Sequence, residues 1–234
     1  VATQAQADAQ RRAINDLVAL AMRDLLAFWR ALDVAQPKAA AAALSRVMPE
    51  LTAAYAGAAA GVAADWYDDL REEAGAPGRY RAVPASAPGP ERGEVLARWA
   101  AGSLFGASPD PDVALSKLAG GLQRTVANGS RDTVTVNVRR DPAGARFARH
   151  ASANACAFCR LLATRGAVYW SETTATKDYH DHCHCMAVPV WDDAPLEQAP
   201  YVQQWSDDYA AARAEAGGGT KAILAEMRAK TGAR

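Results

Sequence analysis

All four cysteines of the chain, and three of its four histidines, fall between positions 156 and 185. This crowding constrains the fold more than any other feature, because thiols meant to staple distant loops as disulfides would be scattered. The donors come as CAFC (156–159) and HDHCHC (180–185). In Cys-x-x-Cys a tight turn brings two thiolates to one side at about the separation that tetrahedral zinc requires. A second pair can then close the sphere from across a hairpin-like return. If residues 183–187 are extended, Cys183 and Cys185 face the same side and a four-thiolate site results. If a turn precedes the strand, His180 can replace one of them. The candidate ligands are therefore Cys156, Cys159, His180, Cys183 and Cys185, with His182 as a hydrogen-bonding support.

A redox pair would sit in a βαβ setting and would have no use for the second cluster. Neither HExxH nor the HxE…PCxxC of zinc deaminases occurs. A closed structural zinc site is therefore expected, adding folding free energy to a module too short to hold itself together.

The rest of the chain reads as mainly helical. Ile14, Leu17, Val18, Ala21, Met22, Leu25 and Trp29 recur at spacings of three and four, which predicts a helix from Thr3 to about Asp33. Pro37 suits the first turn of a second helix, running to Glu73, that Pro49 should kink or restart. Its middle, TAAYAGAAAGVAADW, reads either as close helix packing or as a mere alanine bias. DWYDDLREE (65–73) reads as the polar face of that helix.

Residues 75–93 are rich in Pro and Gly and read as a linker or surface loop. Helical spacing returns from Glu91 to Phe105 and from Pro111 to Ala127. Residues 131–140 alternate Val with Thr and Asn but lean to helix. ARFARH (145–150), GAVYW (166–170) and CMAVPVW (185–191) read as short strands, and CAFCRLLATRG as a helical turn stopped by Gly166. Two helical stretches flank Gly217-Gly218-Gly219, the last expected to be mobile.

The fold class expected is α+β, mainly α. A helical domain (1–140) precedes a small zinc-stapled α+β module (141–195) and a helical tail (196–234).

Charge is balanced, 26 basic against 26 acidic side chains, which argues against bulk electrostatic capture of nucleic acid. No run approaches the roughly 18 to 20 apolar residues of a membrane span, and the first residues lack the apolar middle of a signal peptide. A chain made in the cytosol, without a membrane partner, is expected.

The segments RDP, ARFARH, ACAFCRLLATRGAVYW and YHDHCHCMAVPVW together resemble the C-terminal region of MuF-like minor capsid proteins of tailed phages, in the actinobacteriophage and prophage branch. In that branch CAFCxxLAxRGxVY precedes WHxHCxC and a PVW strand. Tyr179 here stands where tryptophan is common, and Thr164 where serine is. AADWYDDLR and GRYRAV extend the resemblance over most of the chain up to Trp191.

The resemblance implies a minor capsid or head morphogenesis protein, contacting the portal or major capsid protein. Such a protein resides in the host cytoplasm during assembly and then in the virion head interior. The positions carried over are Cys156, Cys159, His180, His182, Cys183 and Cys185, while His184 falls at a variable, solvated position.

Proteins of the branch also carry the label capsid maturation protease. His150 with Ser152, Ser130 or Ser103 is what the sequence offers for that chemistry. No G-x-S-x-G elbow marks any of these serines, and His150 itself reads as a surface residue. A third reading is contact with packaged DNA through Arg139, Arg140, Arg146, Arg149, Arg160 and Arg165, diluted by Asp141, Asp178 and Asp181.

Overall fold

A computed structural model describes residues 2–169, 181, 183–191 and 196–233. Helix α1 spans Gln4–Ala31, α2 Pro37–Glu73, α3 Pro90–Ala101 followed by a 3₁₀ turn Gly102–Leu104, and α4 Pro111–Arg140. Strand β1 is Arg146–His150, α5 Ala157–Ala163 and β2 Met186–Val190; α6 (Pro200–Ala216) and α7 (Thr220–Thr231) follow. The class is α+β, mainly α, with one two-stranded antiparallel sheet among the described residues.

Local chemistry explains where the helices start. Thr3 and Gln6 form a reciprocal capping box at α1, and the Asp110 carboxylate accepts the Val113 N–H at α4. Prolines occupy the first turns of α2, α3 and α4, where a missing N–H is harmless.

Pro49, expected to kink or restart α2, does not end it: the helix is continuous from Pro37 to Glu73. An interior proline costs about 3 kcal/mol. Burial of Leu44 and Met48, just before the proline, offsets that, at roughly 1.5–3 kcal/mol per side chain. Gly93 of α3 also packs so closely on the Met48–Pro49 backbone that a methyl group there would collide with it.

The alanine-rich middle of α2 serves close packing. Ala56, Ala59, Ala60, Ala63 and Ala64 are buried, and Gly129 of α4 lies against the Ala56 carbonyl with no room for a Cβ. Residues 131–140 are helical despite their strand-like alternation. Thr133 and Thr135 return their hydroxyl hydrogens to the carbonyls of Gly129 and Arg131, while Val134 and Val138 enter the core.

Between α2 and α3 the chain is irregular, as expected, yet it is tied down as a strap. Ala82 N–H donates to Asp68 Oδ1 (2.8 Å), Val83 N–H to Asn137 Oδ1 (2.9 Å) and Ala85 N–H to Thr133 Oγ1 (3.0 Å). The buried Asn137 returns its amide hydrogens to Val83 O and Thr133 O.

β1 and β2 pair from Arg146↔Val190 to His150↔Met186, and Tyr169 bridges to Phe147. Trp170, at the end of the expected GAVYW strand, lies outside the described residues. Phe147, Trp191 and Val188 share one apolar cluster with Tyr67 of α2 and Val134 of α4.

Inside that cluster sits a polar knot. The fully buried Asp141 carboxylate receives Arg71 (Nε 3.0 Å, Nη2 3.3 Å), the Tyr67 hydroxyl (3.1 Å), the Trp191 indole N–H (3.1 Å) and the Ala143 N–H. The DWYDDLREE segment is therefore not merely a polar face, since Tyr67, Leu70 and Arg71 point inward. The tail also differs from expectation. Ile223, Leu224 and Met227 of α7 are buried against Ala157 and Leu161 of α5 and Ala212 of α6.

Candidate metal centre

Cys156 ends an extended segment (φ −66°, ψ 161°) and caps α5, which places Cys159 one turn in. Across from them, in the stretch that leads into β2, Cys183 and Cys185 both bring their thiols to Cys159. Cys159, Cys183 and Cys185 are 1%, 3% and 3% exposed, and their sulfurs all lie within 4.8 Å of one another. The Cys159 and Cys183 sulfurs are 3.6 Å apart. Two thiolates on one tetrahedral zinc, at about 2.3 Å each, stand roughly 3.8 Å apart. These three thiols can hold a metal ion together.

Cys156 is half-buried, hydrogen-bonds Cys159 and lines the same cleft of about 1070 Å³ as the other three thiols. His180 and His182, with Asp178 and Tyr179, lie outside the described residues.

The thiols of the cluster perturb one another strongly. Cys159 is pushed far above the usual thiol range by hydrogen bonds with Cys156, Cys183 and Cys185, and by burial. Cys183 is held far below it, first by the hydrogen bond with Cys159, then by that with Cys185. At Cys185 the hydrogen bond with Cys159 lowers the pKa, but Cys183 and burial outweigh it and the net direction is upward. In a pocket walled by Ala155, Ala163, Ala199, Val202 and Trp205, several thiolates can coexist only beside a positive ion.

Arg131 holds the second pair in place. Only 2% exposed, it reaches from α4 to donate Nε to the Cys185 carbonyl (2.9 Å) and Nη2 to the Cys183 carbonyl (2.7 Å). Sequence reasoning missed this residue, since nothing local to Arg131 points to partners more than fifty positions away.

His184, read as a solvated side chain, is exposed but tethered. The Gln123 amide donates to its Nε2 (3.1 Å), which leaves Nδ1 to donate to Asn15 Oδ1 (3.0 Å). Both ring nitrogens are thus engaged by α1 and α4 side chains. Asp181 pairs with Arg124 at 3.2 Å.

His150 corrects a further expectation. It is 5% exposed rather than on the surface, and its Nε2 lies 3.1 Å from Asp8 Oδ1 of α1. Burial holds the imidazole below its ordinary pKa, against the opposing pull of Asp8. Burial raises the Asp8 carboxyl, but the hydrogen bond with His150 and the charge of Arg11 outweigh this and hold it below its ordinary value. No serine hydrogen-bonds His150 among the described residues. Ser103 Oγ accepts from Lys117, and Ser130 is buried within α4.

The arginines divide. Arg149 is buried, and Arg160 donates to the Ala155 carbonyl and stacks on Trp205, whereas Arg139, Arg140, Arg146 and Arg165 are exposed. No helix is long and apolar enough to cross a membrane among the described residues.

No curated protein and no solved structure matches the chain. Residues 1–212, from the capping box of α1 through the thiol centre and most of α6, match the model of the VG15 proteins, and the chain belongs to that phage protein family.

Proposed function

We propose that this protein is a minor capsid, head-morphogenesis protein of a tailed phage, built around a structural zinc ion held by Cys156, Cys159, Cys183 and Cys185. The observation that carries the zinc reading is the convergence of three buried thiols at zinc-like spacing, with Cys156 hydrogen-bonded at their edge. Membership of a phage protein family supports the head role, and the CAFC and HCHC segments that resemble MuF-like proteins are the ones that build the centre. An all-thiolate site with apolar walls suits a structural ion better than a catalytic one, which needs an open coordination position. On this reading the ion joins α5 to the segment before β2, and so fixes the small module on the helices that precede it.

The partners would be the portal or major capsid protein, met in the host cytoplasm before the chain is enclosed in the head. Mass spectrometry of purified virions should find it at low copy number, and its absence there would sink the reading. Metal analysis of the purified chain should find zinc, reduced on Cys159→Ser.

A second reading, contact with packaged DNA, draws on Arg139, Arg140 and Arg146, which are exposed and in no ion pair among the described residues. Retention on a DNA column at low salt, weakened by Arg139→Ala/Arg140→Ala, is its test. A maturation protease would need a nucleophile beside His150, whose described partner is instead Asp8. Co-expression with the major capsid protein, comparing wild type with His150→Ala, tests that chemistry directly.

A further inference from the structure

The four thiols are not equally protected. Cys159, Cys183 and Cys185 are buried, packed with Ala199, Val202 and Trp205, whereas Cys156 is half-buried, hydrogen-bonded to Cys159, and is the most open of the four thiols along the cleft they share with Ser152 and Asn154. Cys156 and Cys159 also belong to one short segment, a single helical turn apart, so they can bond to each other without moving β2 or α4.

We infer that the Cys156–Cys159 edge is an oxidation site at which a peroxide releases the metal. The inference rests on the proposed zinc centre and concerns its regulation. In the first step the Cys156 thiolate attacks hydrogen peroxide. An S–O bond forms, the O–O bond breaks, hydroxide leaves, and Cys156 becomes a sulfenic acid. In the second step the Cys159 thiolate attacks the Cys156 sulfur, an S–S bond forms, the S–O bond breaks and a second hydroxide leaves. Two thiolates have lost two electrons, and the peroxide has gained them. A zinc left with Cys183 and Cys185 has lost half of its thiolates and dissociates.

Release has a structural readout, because α6 packs directly on the thiols through Val202 and Trp205, and Arg160 of α5 stacks on the Trp205 ring at 5.4 Å. Loss of the ion should therefore free α6, and change the fluorescence of Trp205, before the α2–α4 contact is affected.

The experiment uses the full zinc-loaded chain treated with hydrogen peroxide, with a chromogenic chelator reporting free zinc and peptide mass mapping reporting the disulfide. The expected result is zinc release in step with a Cys156–Cys159 disulfide. Cys156→His, which keeps a zinc donor but has no thiol at the open edge, should slow release at least about tenfold. Should that variant fail to bind zinc, limiting N-ethylmaleimide on the wild-type chain is the second measurement, and Cys156 should be labelled first.

A disulfide mapped to Cys183–Cys185, first labelling of Cys183 or Cys185, or equal release from Cys156→His would overturn the inference. Zinc bound but insensitive to peroxide would overturn it while leaving the zinc centre intact. A chain that takes up no zinc would overturn both.

Discussion

Where α2 meets α4, alanines and a glycine let two long helices approach until Gly129 touches the Ala56 carbonyl. Where α5 meets residues 183–185, three buried thiols converge inside an apolar wall, with Cys156 at their edge. The first contact is built by removing side-chain volume, so that burial and dispersion act over a long interface. The second brings polarisable, ionisable groups together, and as thiolates they are favourable only beside a cation. A long apolar contact degrades gradually as it is altered. A thiol cluster is either closed or open.

The sharpest break between the two regions should come from metal removal. Chelation is expected to melt residues 145–191, because apparent zinc-binding free energies of about 10–16 kcal/mol become folding free energy in such sites. Hydrogen exchange should then rise in β1, α5 and β2 while α2 and α4 keep their protection, and uniform exchange over the chain would erase the distinction. Next is the knot that joins the regions. Asp141→Ala leaves the Arg71 guanidinium buried without its carboxylate and should cost about 3–5 kcal/mol in urea unfolding. Arg131→Met should weaken metal binding about 10- to 100-fold, as loss of a group supporting the ligands does, while leaving helix content intact. Gly129→Ala should cost about 1–3 kcal/mol by forcing α2 and α4 apart, with metal content unchanged.

The smallest expected effect is pH dependence at the Asp8–His150 contact. The folded imidazole lies below its ordinary value of 6.5 and the folded Asp8 carboxyl below 3.8, so the unfolded chain binds more protons in both windows. Stability from His150 is thus complete above pH 6.5 and falls as pH drops from there toward the folded value. The Asp8 share is lost only below pH 3.8. At saturating zinc, His150→Gln should abolish the upper step in denaturation midpoints, and an unchanged profile would assign that step elsewhere.

Much of the architecture was legible in local chemistry. Thr3, Pro37 and Pro111 mark helix starts, the spacing of Ile14, Ala21 and Leu25 marks a buried stripe, and the paired cysteines announce their own convergence. What was not legible depends on partners far away in sequence. His150 looked like a surface residue because Asp8 lies 142 positions before it. Pro49 looked like a helix breaker because the α3 glycine that packs on it could not be foreseen. α7 looked mobile because its few apolar residues find a surface only once α5 and α6 are in place. Arg131 read as one more helical cation until its carbonyl partners were seen.

The strap over α2 and α4 bears on the order in which this chain folds. Its N–H groups find acceptors on Asp68, Thr133 and Asn137, side chains of two different helices, so it cannot close until those helices are side by side. That dependence predicts that its bonds form late in folding, after the rate-limiting barrier. Asn137→Ala should accelerate unfolding while leaving the refolding arm of a chevron nearly unmoved.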